Sequence, residues 1–175
     1  AFSGFYNPSK TSHDSQASIL AADNSTSAFV SAYTSAENNW YNGSANLNYT
    51  LKIDSLGKEL AVNADYIRYK SSQDQTLDNQ VRTPDGTPVS NLNLYSSLPA
   101  DIAIKTAKID YVNPFKNNNR IEFGIKTAFV NTDNTADFYD VDATGIQIPN
   151  YTFSNRFLYK ENNNAAYANY AQEWG

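Results

Sequence analysis

From Ser44 to Asp54 the chain alternates strictly between polar and apolar residues over eleven positions. Ala45, Leu47, Tyr49, Leu51 and Ile53 fall on one side, and Ser44, Asn46, Asn48, Thr50, Lys52 and Asp54 on the other. A period of two marks a β-strand with one apolar and one polar face, and it excludes an amphipathic helix, whose apolar residues recur every three or four. Strands that cross a bilayer need about 9–11 residues, whereas soluble strands most often run to about 5–6. The length of this run favours a strand that spans a membrane.

The pattern recurs down the chain. Ser55-Leu56-Gly57-Lys58 reads as a turn, with Gly57 suited to positive φ. Leu60, Val62, Ala64 and Tyr66 then alternate with Ala61, Asn63 and Asp65, and a change of phase at Ile67 and Tyr69 predicts a bulge or an aromatic rim. Ala107, Ile109 and Tyr111 oppose Lys108 and Asp110, and residues 113–119 read as a second compact turn. Ile121, Phe123, Ile125, Thr127 and Phe129 oppose Glu122, Gly124 and Lys126. A last strand is expected from about Arg156 to Trp174, with Ala166, Ala168 and Tyr170 opposite Tyr167, Asn169 and Glu173.

Three stretches lack the pattern and read as long loops: 7–38, 73–100 (with Pro84-Asp85-Gly86, Pro88 and Pro99) and 142–155. Short connections thus alternate with long ones, as in up-and-down outer-membrane barrels with short periplasmic turns and longer external loops. Aromatics near strand ends (Trp40-Tyr41, Tyr66-Tyr69, Phe115, Phe138-Tyr139, Phe157-Tyr159 and Trp174) suit the interfacial girdles of such a barrel.

The expected fold is all-β: antiparallel up-and-down strands, about five or six of them, forming one segment of a transmembrane β-barrel over residues 1–175. Leu47, Tyr49, Leu51, Ile53, Leu60, Val62, Ile109, Tyr111, Phe123 and Ile125 are the lipid-facing candidates. Asn46, Asn48, Lys52, Asn63, Asp65, Lys108, Asp110, Glu122 and Lys126 are the lumen-facing ones, available to a plug or a water-filled interior, or to pairing across the sheet. The alternative is a soluble β-sandwich that binds carbohydrate or serves as an adhesin, in which the apolar faces would meet in a core.

Composition narrows the function. Thirteen Tyr and nine Phe suit strands, and the Asn runs suit turns. Mean hydropathy is −0.58, and no run of about 18 apolar residues occurs to make a transmembrane helix. The net charge is −5 without clustered basic residues, so no nucleic-acid partner is expected. The chain has no Cys and a single His, His13, which reads as a solvated residue beside Asp14; a zinc site is not expected. No G-x-S-x-G elbow, P-loop or dinucleotide fingerprint occurs, so no catalytic residue, cofactor or enzyme activity is expected. Asp140, Asp142, Thr144 and Gly145 resemble the opening of a calcium loop, but Tyr151 stands where the closing Glu belongs, so no metal site is expected. The chain opens at Ala1 without a signal-peptide pattern and stops within a strand-like pattern, which reads as a fragment.

Several segments in order carry a resemblance. They are Trp40-Tyr41-Asn42-Gly43-Ser44 leading into Asn46-Leu47-Asn48-Tyr49, then Asp54 to Leu60, Ala64-Asp65-Tyr66 and Ala107 to Tyr111. Glu122 to Lys126 with Asn131 to Asn134, Asn155-Arg156-Phe157 and Asn164 to Tyr167 follow. From Trp40 to Gly175 the chain resembles the large outer-membrane barrels of Bacteroidetes, the TonB-dependent-receptor-like group known as the outer membrane protein beta-barrel family. The resemblance implies a location in the bacterial outer membrane and a role in energised nutrient uptake. It also implies a plug ahead of a barrel of about 22 strands, of which this chain would be an arc. The implied partners are outer-membrane lipid, the rest of the barrel and its plug, TonB and a surface lipoprotein. A complete eight-stranded barrel would require extra strands within the long loops. Asp54-Ser55-Leu56 resembles the motif such bacteria O-glycosylate, although its simpler reading is a turn.

Overall fold

The computed structural model describes residues 1–115 and 119–172. Its strands are β1 (Phe2–Leu20), β2 (Thr26–Lys52), β3 (Glu59–Arg82), β4 (Pro88–Ser97), β5 (Ala100–Pro114), β6 (Arg120–Val141), β7 (Gln147–Pro149) and β8 (Asn155–Ala171). All belong to one antiparallel sheet. At one end of the sheet the pairing runs β1–β2–β3–β5–β6–β8.

β4 and β5 act as one interrupted strand. Ser97 opposes Asp74 and Ala100 opposes Ser71, so the register carries straight across Leu98 and Pro99. Pro99 has no N–H to give the ladder, yet its carbonyl accepts from the Thr135 amide at 3.0 Å, and the Leu98 amide donates to Gln73 at 2.9 Å. The described chain therefore makes six traverses, each antiparallel to the one before.

The expected long loops are mostly strand. Residues 7–38 form the far part of the β1–β2 hairpin, paired from Phe2 opposite Ala45 to Leu20 opposite Thr26. Residues 73–100 hold the outer part of the β3–β4 hairpin; the six traverses divide into eight strands because β4 and β5 split one of them and β7 adds a three-residue piece. Only 142–155 keeps an irregular character: a turn at Asp142–Ile146, the three-residue β7 and a turn at Asn150–Ser154. The pattern vanishes in these segments because both faces of the projecting hairpins meet water. Ser9, Thr11, Ser12, His13, Asp14 and Ser15 follow one another within a strand that has no apolar side. β2 alone has 27 residues, far more than the 9–11 or so that a crossing uses. From Tyr6 to Leu20 the first hairpin extends about 45 Å.

Three hairpin tips share one design. The amides of Asn24, Gly86 and Gly145 donate to the carbonyls of Ala21, Thr83 and Asp142 at 2.9, 2.9 and 3.0 Å. Asn24, Gly86 and Gly145 take positive φ (63°, 89° and 86°), as the left-handed position of a three-residue hairpin loop requires.

The sheet is a single layer. Among the described residues only Ala28, Ala36, Ser96 and Gly124 are buried, and Leu47 and Ile125 remain 62 % and 57 % exposed. The β-sandwich alternative is overturned, because the apolar face meets no second sheet. Among the described residues β1 pairs only with β2 and β8 only with β6. The strands within the loops lengthen hairpins and do not close a small barrel. The expected turn at 113–119 includes residues 116–118, which lie outside the described residues, as does Trp174; at its ends the Phe115 amide donates to Asn119 at 2.7 Å.

Candidate functional site

The ladders line side chains up in rows across five strands. Tyr49, Val62, Ile109, Ile125 and Ala166 make one row, and Leu51, Leu60, Tyr111, Phe123 and Ala168 the next. The opposite face carries the row Asn46, Asp65, Thr106, Ala128, Asn163 and the row Asn48, Asn63, Lys108, Lys126, Ala165. Asp110 joins that face opposite Gly124 and Tyr167, and Lys52 joins it through Glu59, Val112 and Glu122. All nine polar candidates thus share one face. Nine of the ten apolar candidates share the other; Ile53 lies one residue beyond β2, where its amide donates to Lys58 at 2.8 Å. Asn63, Asp65, Lys108 and Asp110 are half-buried and Asn48, Lys52 and Lys126 exposed on the polar face, while on the other Leu60, Val62 and Tyr111 are half-buried and Phe123 and Ile125 exposed.

The polar face is internally bonded. Asp65 accepts from the Thr106 hydroxyl at 2.7 Å and from the Asn46 amide. Lys108 Nζ lies 2.7 Å from Asp110. Glu122 receives Arg120 Nε at 3.0 Å and Asn169 Nδ2 at 3.3 Å. Both ion pairs join residues two apart on one strand, Lys108 with Asp110 in β5 and Arg120 with Glu122 in β6; the bonds that cross between strands run from the neutral donors Thr106, Asn46 and Asn169 to carboxylates.

Farther along the strands the two faces exchange character. On the face that was polar, Ser44, Ile67, Ile104, Val130 and Glu161 form a row, followed by Asn42, Tyr69, Ile102, Thr132 and Tyr159. On the face that was apolar stand Gly43, Arg68, Ala103, Asn131 and Lys160, then Tyr41, Lys70, Asp101, Asp133 and Leu158. The phase change at Ile67 and Tyr69 is therefore no bulge: β3 pairs without a break from Glu59 to Ser71. Among the described residues the register shifts at Ile19/Leu20 and Val81/Arg82, near hairpin tips.

The aromatic rim divides between the faces. Tyr6 stacks on Tyr41 with ring centres 4.6 Å apart on one face, and Trp40 meets Tyr69 at 6.3 Å on the other. Tyr66 and Phe129 bound the apolar band on one side, and Tyr111, Phe123 and Tyr170 on the other. From Ile121 to Phe129 the strand advances about 27 Å, which at a barrel strand tilt of about 35–45° covers roughly 20 Å of an apolar band about 25 Å tall.

The remaining candidates are occupied by local structure. Asp142 accepts from the Thr144 amide at 2.8 Å, the Thr144 hydroxyl at 2.7 Å and the Ile146 amide at 2.9 Å. These bonds, led by the Thr144 hydroxyl, hold its carboxyl below the usual range. Asp140 instead receives the Asn150 side-chain amide at 3.0 and 3.2 Å. Asp54 accepts from the amides of Leu56 and Lys58, both at 3.0 Å, which hold its carboxyl low and leave Ser55 exposed at a turn. His13 is exposed in β1, opposite Thr34.

Among the described residues no helix is long and apolar enough to cross a membrane, which is no bar to crossing by strands. A search among curated proteins returns no match. The family model described as outer membrane protein beta-barrel family matches residues 51–175, more than half of the chain. With an antiparallel single-layer sheet, apolar rows on one of its faces and that match, this chain belongs to the outer membrane protein beta-barrel family and to the bacterial outer membrane.

Proposed function

We propose that the sheet is an arc of the wall of a TonB-dependent import barrel, with its apolar face toward lipid and its polar face toward the lumen. The observation that carries this reading is the exchange of polarity between Tyr66 and Arg68. On the outer side, apolar residues give way to charge where a strand leaves hydrocarbon. On the inner side, Ile67, Ile104 and Val130 make an apolar row at the same level.

An open, water-filled pore would leave that row wet, at a cost of about 25 cal/mol per Å² of apolar surface. A folded plug against it removes the cost, which supports a gated receptor over a simple porin. The polar rows below it, with Asp65, Lys108 and Glu122, would contact the plug and the path opened when the plug is displaced. The two edge strands support a longer wall, because backbone groups unpaired in hydrocarbon cost several kcal/mol each. The partners are accordingly outer-membrane lipid, further strands of the barrel, a plug, TonB and a surface lipoprotein. The activity is transport without bond-making chemistry or nucleic acid, and the resemblance from Trp40 to Gly175 supports a Bacteroidetes source.

Planar-bilayer conductance of the protein extracted from outer membranes tests the reading. A barrel that conducts little at rest and opens reversibly when urea loosens the plug is the expected result. A steady open-pore conductance without urea contradicts it.

A further inference from the structure

We propose that the outward face just above the apolar band seats the phosphate-bearing headgroup of an outer-leaflet glycolipid. This rests on the orientation of the faces given above and is independent of import. The chain as a whole carries a net charge of −5. Yet from the Tyr66–Lys105 row to the Thr135–Arg156 row this face holds five basic side chains, Lys105, Arg68, Lys160, Lys70 and Arg156. Against them stand two acidic ones, Asp101 and Asp133, a surplus of three positive charges. The next charged row sets three acidic side chains, Glu37, Asp74 and Asp137, against one basic one, Lys10, which pairs with Glu37, so its balance is acidic. The basic level is therefore confined to the height at which lipid headgroups lie.

The geometry presents these cations to an anion. Asp101 binds one edge of the Arg68 guanidinium (Nε at 3.0 Å, Nη2 at 2.6 Å), and Asp133 binds Arg156 likewise at 2.9 and 2.6 Å. Each carboxylate fixes the plane of its guanidinium and leaves Nη1 to donate elsewhere, the fork geometry suited to phosphate. Lys70 is held only loosely, 3.6 Å from Asp101, and Lys105 lies 6.0 Å from the centre of the Tyr66 ring. A depression of about 330 Å³ opens beside Lys70, lined also by Tyr41, Pro99, Asp101 and Asp133. Lys and Arg at the rim of an apolar band lay their stems on it and raise their charges to the headgroup layer. On the lipid side of a wall, at that height, headgroups are the anions within reach.

The test uses the protein extracted from outer membranes, with lipid A bearing its phosphates, the same lipid dephosphorylated, and inorganic phosphate as probes. Binding is read by native mass spectrometry on the wild type, Lys160→Gln, and the triple variant Lys70→Gln, Lys105→Gln, Lys160→Gln; Lys126→Gln on the opposite face is the control. Each lost charge should weaken lipid A binding about five-fold, and the triple variant on the order of 100-fold. The control should bind as the wild type does, dephosphorylated lipid should bind weakly, and inorganic phosphate should not compete. Unchanged binding by both variants, or equal binding of the dephosphorylated lipid, overturns the proposal; competition by inorganic phosphate reassigns the site to a free anion and overturns it too. A nitroxide at Ile109→Cys, read for contact with dissolved oxygen in lipid, tests the orientation separately, so failure of that premise is recognisable by itself.

Discussion

The phenol of Tyr167 reaches across Gly124 to donate a hydrogen bond to the carboxylate of Asp110, tying β8 to β5 over the strand between them. Lys108 completes the arrangement, paired with Asp110 at 2.7 Å and 5.7 Å from the centre of the Tyr167 ring. Only a residue without Cβ leaves room for the ring, since a Cβ at position 124 would fall inside the Tyr167 Cε1 and Cζ atoms. Gly124→Ala should therefore destabilise the wall by about 1–3 kcal/mol through overpacking. Removing the ring as well, in Gly124→Ala with Tyr167→Ala, should recover part of that loss, because the two changes share one contact. Urea unfolding in detergent micelles measures both.

The two faces should differ sharply in their tolerance of charge. Ile125→Arg places a cation on the exposed apolar row beside Ile109 and Ala166, and near the bilayer midplane should cost about 2–4 kcal/mol. Ala128→Arg, one row from Lys126 on the opposite face and level with Asp65, should change stability by no more than about 0.5 kcal/mol. Equilibrium unfolding in lipid vesicles compares them.

The tip of the last hairpin should respond to acid. Hydrogen bonds from Thr144 and Ile146 favour the ionised Asp142 in the folded turn, so its folded value lies below that of the unfolded chain. Its contribution is complete above the ordinary Asp value of about 3.9 and is lost as pH falls through the lowered folded value. Hydrogen-exchange protection at the amides of Thr144 and Ile146 should fall in that window, and in Asp142→Asn it should lose its dependence on pH.

Gly145 holds φ of +86° in the same turn with open space where a Cβ would stand. Gly145→Ala should therefore cost about 1–2 kcal/mol from backbone conformation alone, read as a lower protease resistance of this hairpin with the wall intact.

The membrane-crossing part of the fold was legible because one face of each strand meets hydrocarbon, which forces the period-two pattern through Leu47 to Ile53 and Phe123 to Phe129. It failed above the band, where Thr11 to Ser15 and Asp78 to Val81 are strand with no apolar side to announce it. The exchange of faces left a trace, the change of phase at Ile67, but a local pattern cannot distinguish a bulge from a strand that passes between two solvents. Tyr167 and Gly124 were separated by 43 residues in sequence, and nothing local joins them; a glycine in the middle of an alternating strand was the available sign. The pairing of Arg68 with Asp101 and of Arg156 with Asp133 likewise follows from register, which spacing alone does not provide.

A nitroxide scan along β3 from Leu60 to Lys70, in lipid vesicles, tests the central claim most directly. Contact with dissolved oxygen should peak at Leu60, Val62, Ala64 and Tyr66, and contact with a water-soluble nickel complex at the positions between them. From Arg68 onward the same side of the strand should become accessible to nickel. Equal access on both sides throughout, or oxygen contact peaking at Asn63 and Asp65, would contradict the account of a wall whose apolar face lies against lipid and ends at Arg68.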